Sequence, residues 1–129
     1  MITNLLKFLL HAKYQTAWRI VFWLNLALLL YLTLTPSVDL NIQITHIDKV
    51  FHFIGFGSIA FIGQLAYPSI RSLHVAIYSS IFGFCVELAQ SALPYRTFSV
   101  ADFLVDIAGI VTAIYLLTVI KRKHAQSIN

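Results

Sequence analysis

The feature that most constrains this chain is the recurrence of long apolar windows, each close to the length that crosses a bilayer. The windows are Ala17–Thr35, Lys49–Tyr67, Leu73–Leu93 and Ala101–Ile120. A helix needs about 20 apolar residues to span the hydrocarbon core, and it satisfies its backbone hydrogen bonds internally. With 59% hydrophobic and 11% charged residues, the composition is not that of a water-soluble protein. The sequence therefore predicts an all-α fold, a small up-down bundle of four transmembrane helices.

Little of the chain is left outside these windows, so we expect one domain over residues 1–129. Residues 1–16 place leucines beside Lys7 and Lys13, a pattern that predicts a short amphipathic segment at the membrane interface. The first apolar window is long, and residues 37–39 do not form a small-x-small cleavage site. We therefore expect this window to be a retained span and not a cleaved signal peptide.

Basic and acidic residues fall on opposite sides of the predicted membrane. Seven of the nine basic residues lie before helix 1, between helices 2 and 3, or after helix 4: Lys7, Lys13, Arg19, Arg71, Lys121, Arg122 and Lys123. All five acidic residues lie on the other side: Asp39, Asp48, Glu87, Asp102 and Asp106. By the positive-inside rule both termini are cytoplasmic, and the acidic side faces outward. The net charge of +4 is spread over span ends, not along one exposed stripe, so we expect no nucleic-acid partner.

One face of each of helices 2, 3 and 4 carries polar residues toward the outer end and small residues deeper in the membrane. We call each of these faces a stripe. The stripes are Asp48, His52 and Gly55; Gly83, Glu87, Gln90 and Pro94; and Asp102, Asp106 and Gly109. Residues at i, i+3, i+4 and i+7 share one face of a helix. The sequence therefore predicts that three helices converge below a polar pocket that opens toward the outer leaflet.

The residue types in these stripes suit chemistry on a phosphate-bearing lipid. Ionisable groups inside spanning segments are costly and mark function by default. His52 and Glu87 are candidates for proton transfer. Arg96 offers a bidentate fork for phosphate. Asp102 and Asp106 suit three roles: orienting the histidine, holding Arg96, or binding a divalent ion. The spacing of these residues specifies no particular metal.

Each of these residues also has an interpretation without function. Asp48 suits a helix cap and Lys49 an interfacial anchor. His52 and Gln90 suit hydrogen bonds between helices. Glu87 is hardest to explain without a function, because placing a carboxylate within an apolar membrane helix costs free energy. Taken together, the residues favour a functional site.

Several of these residues also form an ordered set of motifs. Residues 48–53 read D-K-x-x-H-F, residues 87–90 read E-x-x-Q, and residues 94–102 read P-x-R-x-x-S-x-x-D. Gly109 then takes the place of the glycine that closes a D-x-x-x-N-x-x-G element. From Asp48 to Gly109 the chain resembles the VanZ-like family of small bacterial membrane proteins. It departs from the family pattern at Asp106, where asparagine is usual.

The resemblance implies a multi-pass protein of the bacterial plasma membrane with a role in the cell envelope. The founding member of the family is associated with resistance to the glycopeptide antibiotic teicoplanin, and family-level comparison suggests kinship with membrane enzymes that act on lipid head groups. The resemblance implies a site made of Asp48, His52, Glu87, Gln90, Arg96, Ser99 and Asp102. It does not imply that this protein itself confers resistance.

The leading hypothesis is an enzyme, a hydrolase or transferase, that acts on a phosphate-linked head group of an outer-leaflet lipid or an isoprenoid-linked substrate. The catalytic candidates are His52, Glu87 and Asp102, and the substrate-binding candidates are Asp48, Lys49, Gln90, Arg96, Ser99 and Asp106. The alternatives are a non-catalytic binder of an envelope lipid or antibiotic, an accessory subunit, and a proton-coupled carrier. The carrier ranks last, because four short helices leave little room for alternating access. Substrate, metal and oligomeric state stay open.

Overall fold

The fold is known from a computed structural model that describes residues 11–35, 47–94 and 96–126. These residues form four α-helices and no strand: α1 (Gln15–Leu34), α2 (Ile47–Ala66), α3 (Ser72–Ser91) and α4 (Val100–Gln126). A short 3₁₀ turn, Ala12–Tyr14, precedes α1. All four helices are long and apolar enough to cross a membrane. The predicted all-α bundle of four spans is confirmed, while most of the predicted amphipathic segment lies outside the described residues.

The bundle is apolar on its outside and polar in parts of its interior. Large side chains such as Leu24, Phe51 and Tyr115 are each at least 65% exposed. By contrast, Glu87 and Asp106 are almost fully buried. A water-soluble protein has the opposite arrangement, whereas lipid accepts an apolar exterior. Together with the hydropathy of the helices, this arrangement indicates a multi-pass membrane protein.

The most extensive contact between helices joins α2 to α4, which run parallel to each other. Two glycines allow this close approach. A Cβ atom on Gly57 would lie 3.1 Å from the carbonyl oxygen of Gly109. A Cβ atom on Gly109 would overlap the carbonyl oxygen of Phe53 and lie 3.2 Å from the Gly57 nitrogen. Small residues are the usual means by which membrane helices pack backbone to backbone.

We expect Gly109→Ala to destabilise the bundle by about 1–3 kcal/mol, because the added methyl group meets backbone that cannot rotate away. Gly63→Ala is the matched control, since its Cβ would meet the Phe22 ring, a side chain that can shift. Thermal unfolding in detergent should show a clearly lower midpoint only for Gly109→Ala. Equal midpoints for the two variants would contradict the assigned contact.

Helix α1 is tied to the bundle through side chains near its middle and its end. The Asn25 amide donates a hydrogen bond of 2.9 Å to the Ser58 hydroxyl on α2. Near the end of α1, the Gln90 amide on α3 donates to the Thr33 carbonyl oxygen at 2.8 Å. Helix α1 ends at Leu34, and the next residue has the extended backbone expected immediately before a proline. These bonds hold α1 against both neighbouring helices.

Candidate functional site

Buried ionisable side chains from α2, α3 and α4 meet near one end of the bundle. His52, Glu87, Asp102 and Asp106 are each less than 9% exposed. Lys49 lies beside them and is partly exposed. We call these five residues the polar cluster. Three helices contribute to it because α2 and α4 run parallel, which brings the first turns of both helices to the same level.

His52 and Asp106 form the deepest contact of the cluster. The Nδ1 atom of His52 lies 2.9 Å from Oδ1 of Asp106. With Asp106 ionised, its oxygen can only accept a hydrogen bond, and Nδ1 then carries the proton and donates it. The Phe56 ring stacks on the imidazole with centroids 6.1 Å apart and an angle of 19°. The imidazole is therefore fixed in orientation, and its Nε2 atom is left to accept a proton.

Glu87 is held by the backbone that leads into α4. Its Oε2 atom accepts a hydrogen bond of 3.1 Å from the Ser99 backbone N–H. The Ser99 hydroxyl accepts from the backbone N–H of Asp102 at 3.1 Å, and so caps α4. The second oxygen of Glu87, Oε1, lies 3.8 Å from Nδ1 of His52 and has no hydrogen-bond partner among the described residues. One oxygen is thus anchored while the other points toward the histidine.

Lys49 closes the cluster on the side of α4. Its Nζ atom donates to Oδ1 of Asp102 at 2.8 Å and lies 3.6 Å from Oδ2 of Asp48. The Asp48 side chain is 47% exposed and lies at the edge. The predicted stripe was therefore partly wrong in its register: Lys49, and not Asp48, faces α4. Gly55 instead faces α1, where a Cβ atom would overlap the Leu29 side chain.

Two of the predicted site residues lie outside this network. Gln90 is buried, and its amide bonds to α1, which supports its interpretation as a tie between helices. Arg96 is half-buried and forms no ion pair with an acidic side chain of the described segments. The sequence left open an ion pair between Arg96 and Asp102. The described segments do not contain this pair, because the Asp102 carboxylate pairs with Lys49 instead.

The VanZ/LLP1 family model matches residues 3–121 of this chain. The chain belongs to the VanZ/LLP1 family. The match covers α1, α2 and α3 and reaches residue 121 of α4, whereas the motifs that carry the resemblance run only from Asp48 to Gly109. No curated protein and no solved structure matches the chain. Family membership and four apolar helices together establish a VanZ/LLP1 multi-pass membrane protein.

Part of the polar cluster has the geometry of a metal site. One ligating atom each from His52, Glu87 and Asp102 can be chosen so that all three lie within 4.8 Å of one another. The remaining carboxylate, Asp106, stands behind the histidine, and its Oδ2 atom has no hydrogen-bond partner among the described residues. That oxygen lies 3.3 Å from the point where a Cβ on Gly83 would sit, so the glycine makes room for the acid.

Two grooves of this VanZ/LLP1 chain lie at the other end of the bundle. One, of about 400 Å³, runs between α3 and α4 beside Ser72, Tyr115 and Arg122. A smaller one, of about 110 Å³, lies beside Gln64 and Lys121. No residue of the polar cluster lines either groove. Neither groove is therefore the pocket that the stripes predicted toward the outer leaflet.

Sequence reasoning missed the positioning role of Ser99. It was assigned to substrate binding, yet its hydroxyl caps α4 and its N–H holds Glu87. A signal was present, since Ser-x-x-Asp before an apolar run is a capping pattern. No local pattern could show that the residue would also reach Glu87, because that contact depends on how the connection from α3 to α4 folds back.

Proposed function

We propose that this protein is an enzyme that acts on the phosphate-linked head group of a lipid in the outer leaflet. The observation that carries the proposal is the polar cluster: ionisable side chains from three helices meet inside a membrane-spanning bundle, with hydrogen bonds between His52 and Asp106 and between Lys49 and Asp102. Each such group is costly to place there. Packing alone would be served better by apolar residues, since replacing buried charges by well-packed hydrophobic residues is often neutral or stabilising.

The proposed reaction breaks the bond between phosphorus and a head-group oxygen. A water molecule or an acceptor hydroxyl attacks phosphorus and loses a proton, and the leaving oxygen gains one. His52 suits the proton acceptor, because Asp106 fixes its ring and leaves Nε2 available. Glu87 is the alternative acceptor, because its Oε1 atom has no hydrogen-bond partner among the described residues. Water as the attacking group gives hydrolysis, and a hydroxyl gives transfer.

Phosphoryl transfer also needs positive charge near the phosphate oxygens. Lys49 is already neutralised by Asp102 at 2.8 Å. Arg96 forms no ion pair with the acids of the described segments, so its guanidinium is the cation left for an anionic ligand. Its fork can bind two phosphate oxygens at once. We therefore assign phosphate binding to Arg96 and proton transfer to the buried cluster.

We further propose that the polar cluster faces the outer leaflet and that both termini are cytoplasmic. The proposal rests on the distribution of Lys and Arg along the sequence. A cytoplasmic reporter fused after Asn129 should be active, and a reporter that works only outside the cytoplasm should be inactive there. The opposite pattern would place the polar cluster at the inner leaflet and overturn the outer-leaflet substrate.

The function is tested by mass spectrometry of membrane lipids from cells that produce either the intact protein or Glu87→Gln. The substitution keeps shape and removes the ionisable group. His74→Gln is the control, because His74 is exposed at the far end of α3. We expect a lipid species to change with the intact protein and with the control, but not with Glu87→Gln. Identical lipids in all three would contradict the enzyme.

A non-catalytic binder is the second candidate, and the pairing inside the cluster favours it, since Lys49 is already paired with Asp102 and His52 with Asp106. Susceptibility to a teicoplanin-type glycopeptide is the phenotype to follow in the same cells. An altered susceptibility with unchanged lipids would support a binder of an envelope lipid or of the antibiotic. An altered susceptibility that appears only together with the lipid change would support the enzyme.

A further inference from the structure

We infer that the polar cluster binds one divalent transition-metal ion, such as Mn²⁺ or Zn²⁺, through His52, Glu87 and Asp102. One ligating atom of each residue lies within 4.8 Å of the other two. Two ligands of a tetrahedral ion, each at about 2.1 Å, lie about 3.4 Å apart. The ligating atoms would therefore need to move together by up to about 1.4 Å when the ion binds. The three residues come from three helices, so their convergence is a property of the fold.

An unsatisfied oxygen points independently to a ligand. Glu87 is 1% exposed, and its Oε1 atom has no hydrogen-bond partner among the described residues. Leaving a buried charged acceptor without a partner is costly. Oε1 lies 3.8 Å from Nδ1 of His52, so this oxygen faces the imidazole ring. A cation held there would satisfy this oxygen.

The charge of the cluster also calls for a cation. Three buried carboxylates, Glu87, Asp102 and Asp106, share the cluster with one ammonium group, that of Lys49, which also lies 3.6 Å from the half-exposed Asp48. With a neutral histidine, three negative charges and one positive charge leave an excess of two negative charges. A divalent ion balances that excess, which a low-dielectric interior otherwise penalises heavily. Arg96 does not supply this balance, since it pairs with none of these acids.

The donor set indicates the kind of ion. One imidazole nitrogen with carboxylate oxygens suits borderline ions, whereas Mg²⁺ and Ca²⁺ prefer oxygen alone and Cu(I) prefers sulfur. A metal-bound histidine commonly donates its other ring N–H to a carboxylate, which fixes the ring. Asp106 is placed to accept such a bond, at 2.9 Å from Nδ1. Asp106 thus acts as a positioning residue behind the ligand.

The inference rests on the polar cluster and not on the proposed lipid reaction, although the two share side chains. With an ion bound, His52 and Glu87 would be ligands in place of proton acceptors, and the ion would supply the activation of the attacking water. Binding and lipid turnover are measured separately. Metal binding without lipid change would overturn only the proposed function, and lipid turnover in protein that binds neither ion would overturn only this inference.

The test uses the purified full chain in detergent, stripped with chelator, and titrated calorimetrically with MnCl₂ and with ZnCl₂. We expect one equivalent of at least one ion to bind, and Glu87→Gln and His52→Gln each to weaken it by at least about 100-fold, since even outer partners are worth 10–100-fold. His74→Gln should bind as the intact protein does, which controls for exposed histidines.

Thermal unfolding with and without the ion guards against misfolded variants. An ion that binds only the folded protein should raise the midpoint of the intact protein and of His74→Gln, but not that of Glu87→Gln. Asp106→Asn should keep one equivalent, since its amide oxygen can still accept from the histidine. No saturable binding of either ion would overturn the inference, and so would binding that neither cluster variant weakens.

Discussion

His52→Leu is expected to lower the free energy of unfolding by about 3–5 kcal/mol in metal-free detergent solution, because it leaves a buried carboxylate without its partner. Asp106 is fully buried, and the imidazole N–H is the only hydrogen bond that the described residues give its side chain. The double variant His52→Leu/Asp106→Leu should recover most of this loss, since it removes both polar groups. Equilibrium unfolding of the single and double variants measures the difference.

The matched control for this prediction is His74→Leu, at an exposed position on α3. Its unfolding should be close to that of the intact protein, because surface changes are usually within about 0.5 kcal/mol. Asp106→Asn should also stay close, since an amide oxygen can replace the carboxylate as acceptor. A double variant as unstable as His52→Leu alone would show that the pair contributes through packing and not through charge.

Arg96→Lys is expected to reduce lipid turnover by about 10- to 100-fold, the equivalent of roughly 1.5–3 kcal/mol for lost charge-assisted hydrogen bonds. Lysine keeps the positive charge but loses the planar fork that grips two phosphate oxygens. The readout is the rate of change of the lipid species that distinguishes the intact protein from Glu87→Gln. The reduction should appear without a change in the unfolding midpoint.

Arg71→Lys is the matched control, because Arg71 is exposed in the connection between α2 and α3, at the other end of the bundle. It should leave the rate unchanged. If Arg96→Lys also works at the full rate, Arg96 is an interfacial anchor, since an anchor needs only its charge and its alkyl chain. Phosphate binding would then have to be assigned elsewhere.

The fold could be predicted from the sequence because a bilayer admits few kinds of backbone structure. Long apolar windows can cross the membrane only as helices here, and their number and approximate bounds come directly from hydropathy. Gly109 is an example. The helical spacing placed it on the same face as Asp102 and Asp106, and all three residues are buried in the bundle. Helical periodicity is a local property of the sequence, so the buried face of α4 could be predicted.

The sequence did not predict which residues of neighbouring helices contact each other, because these contacts depend on the register and the rotation of each helix. A rotation of α2 by one residue brings Lys49 and not Asp48 to the carboxylate of Asp102. The close contact of Gly57 with Gly109 sets that rotation, and a single sequence lists several glycines without saying which meet. The anchoring of Glu87 by Ser99 depends likewise on the path of a connection.

The central claim is that the polar cluster does chemistry on lipid phosphate. Phosphorus NMR tests this claim directly. The purified protein is reconstituted in vesicles made from extracted bacterial lipids, and separate samples are supplied with Mn²⁺ or with Zn²⁺. The ion is removed by chelation before each spectrum is recorded. The account predicts that a head-group resonance decreases and a new one grows with time for the intact protein, while Glu87→Gln leaves the spectrum constant. A spectrum that stays unchanged with the folded, intact protein under every ion condition would contradict the claim.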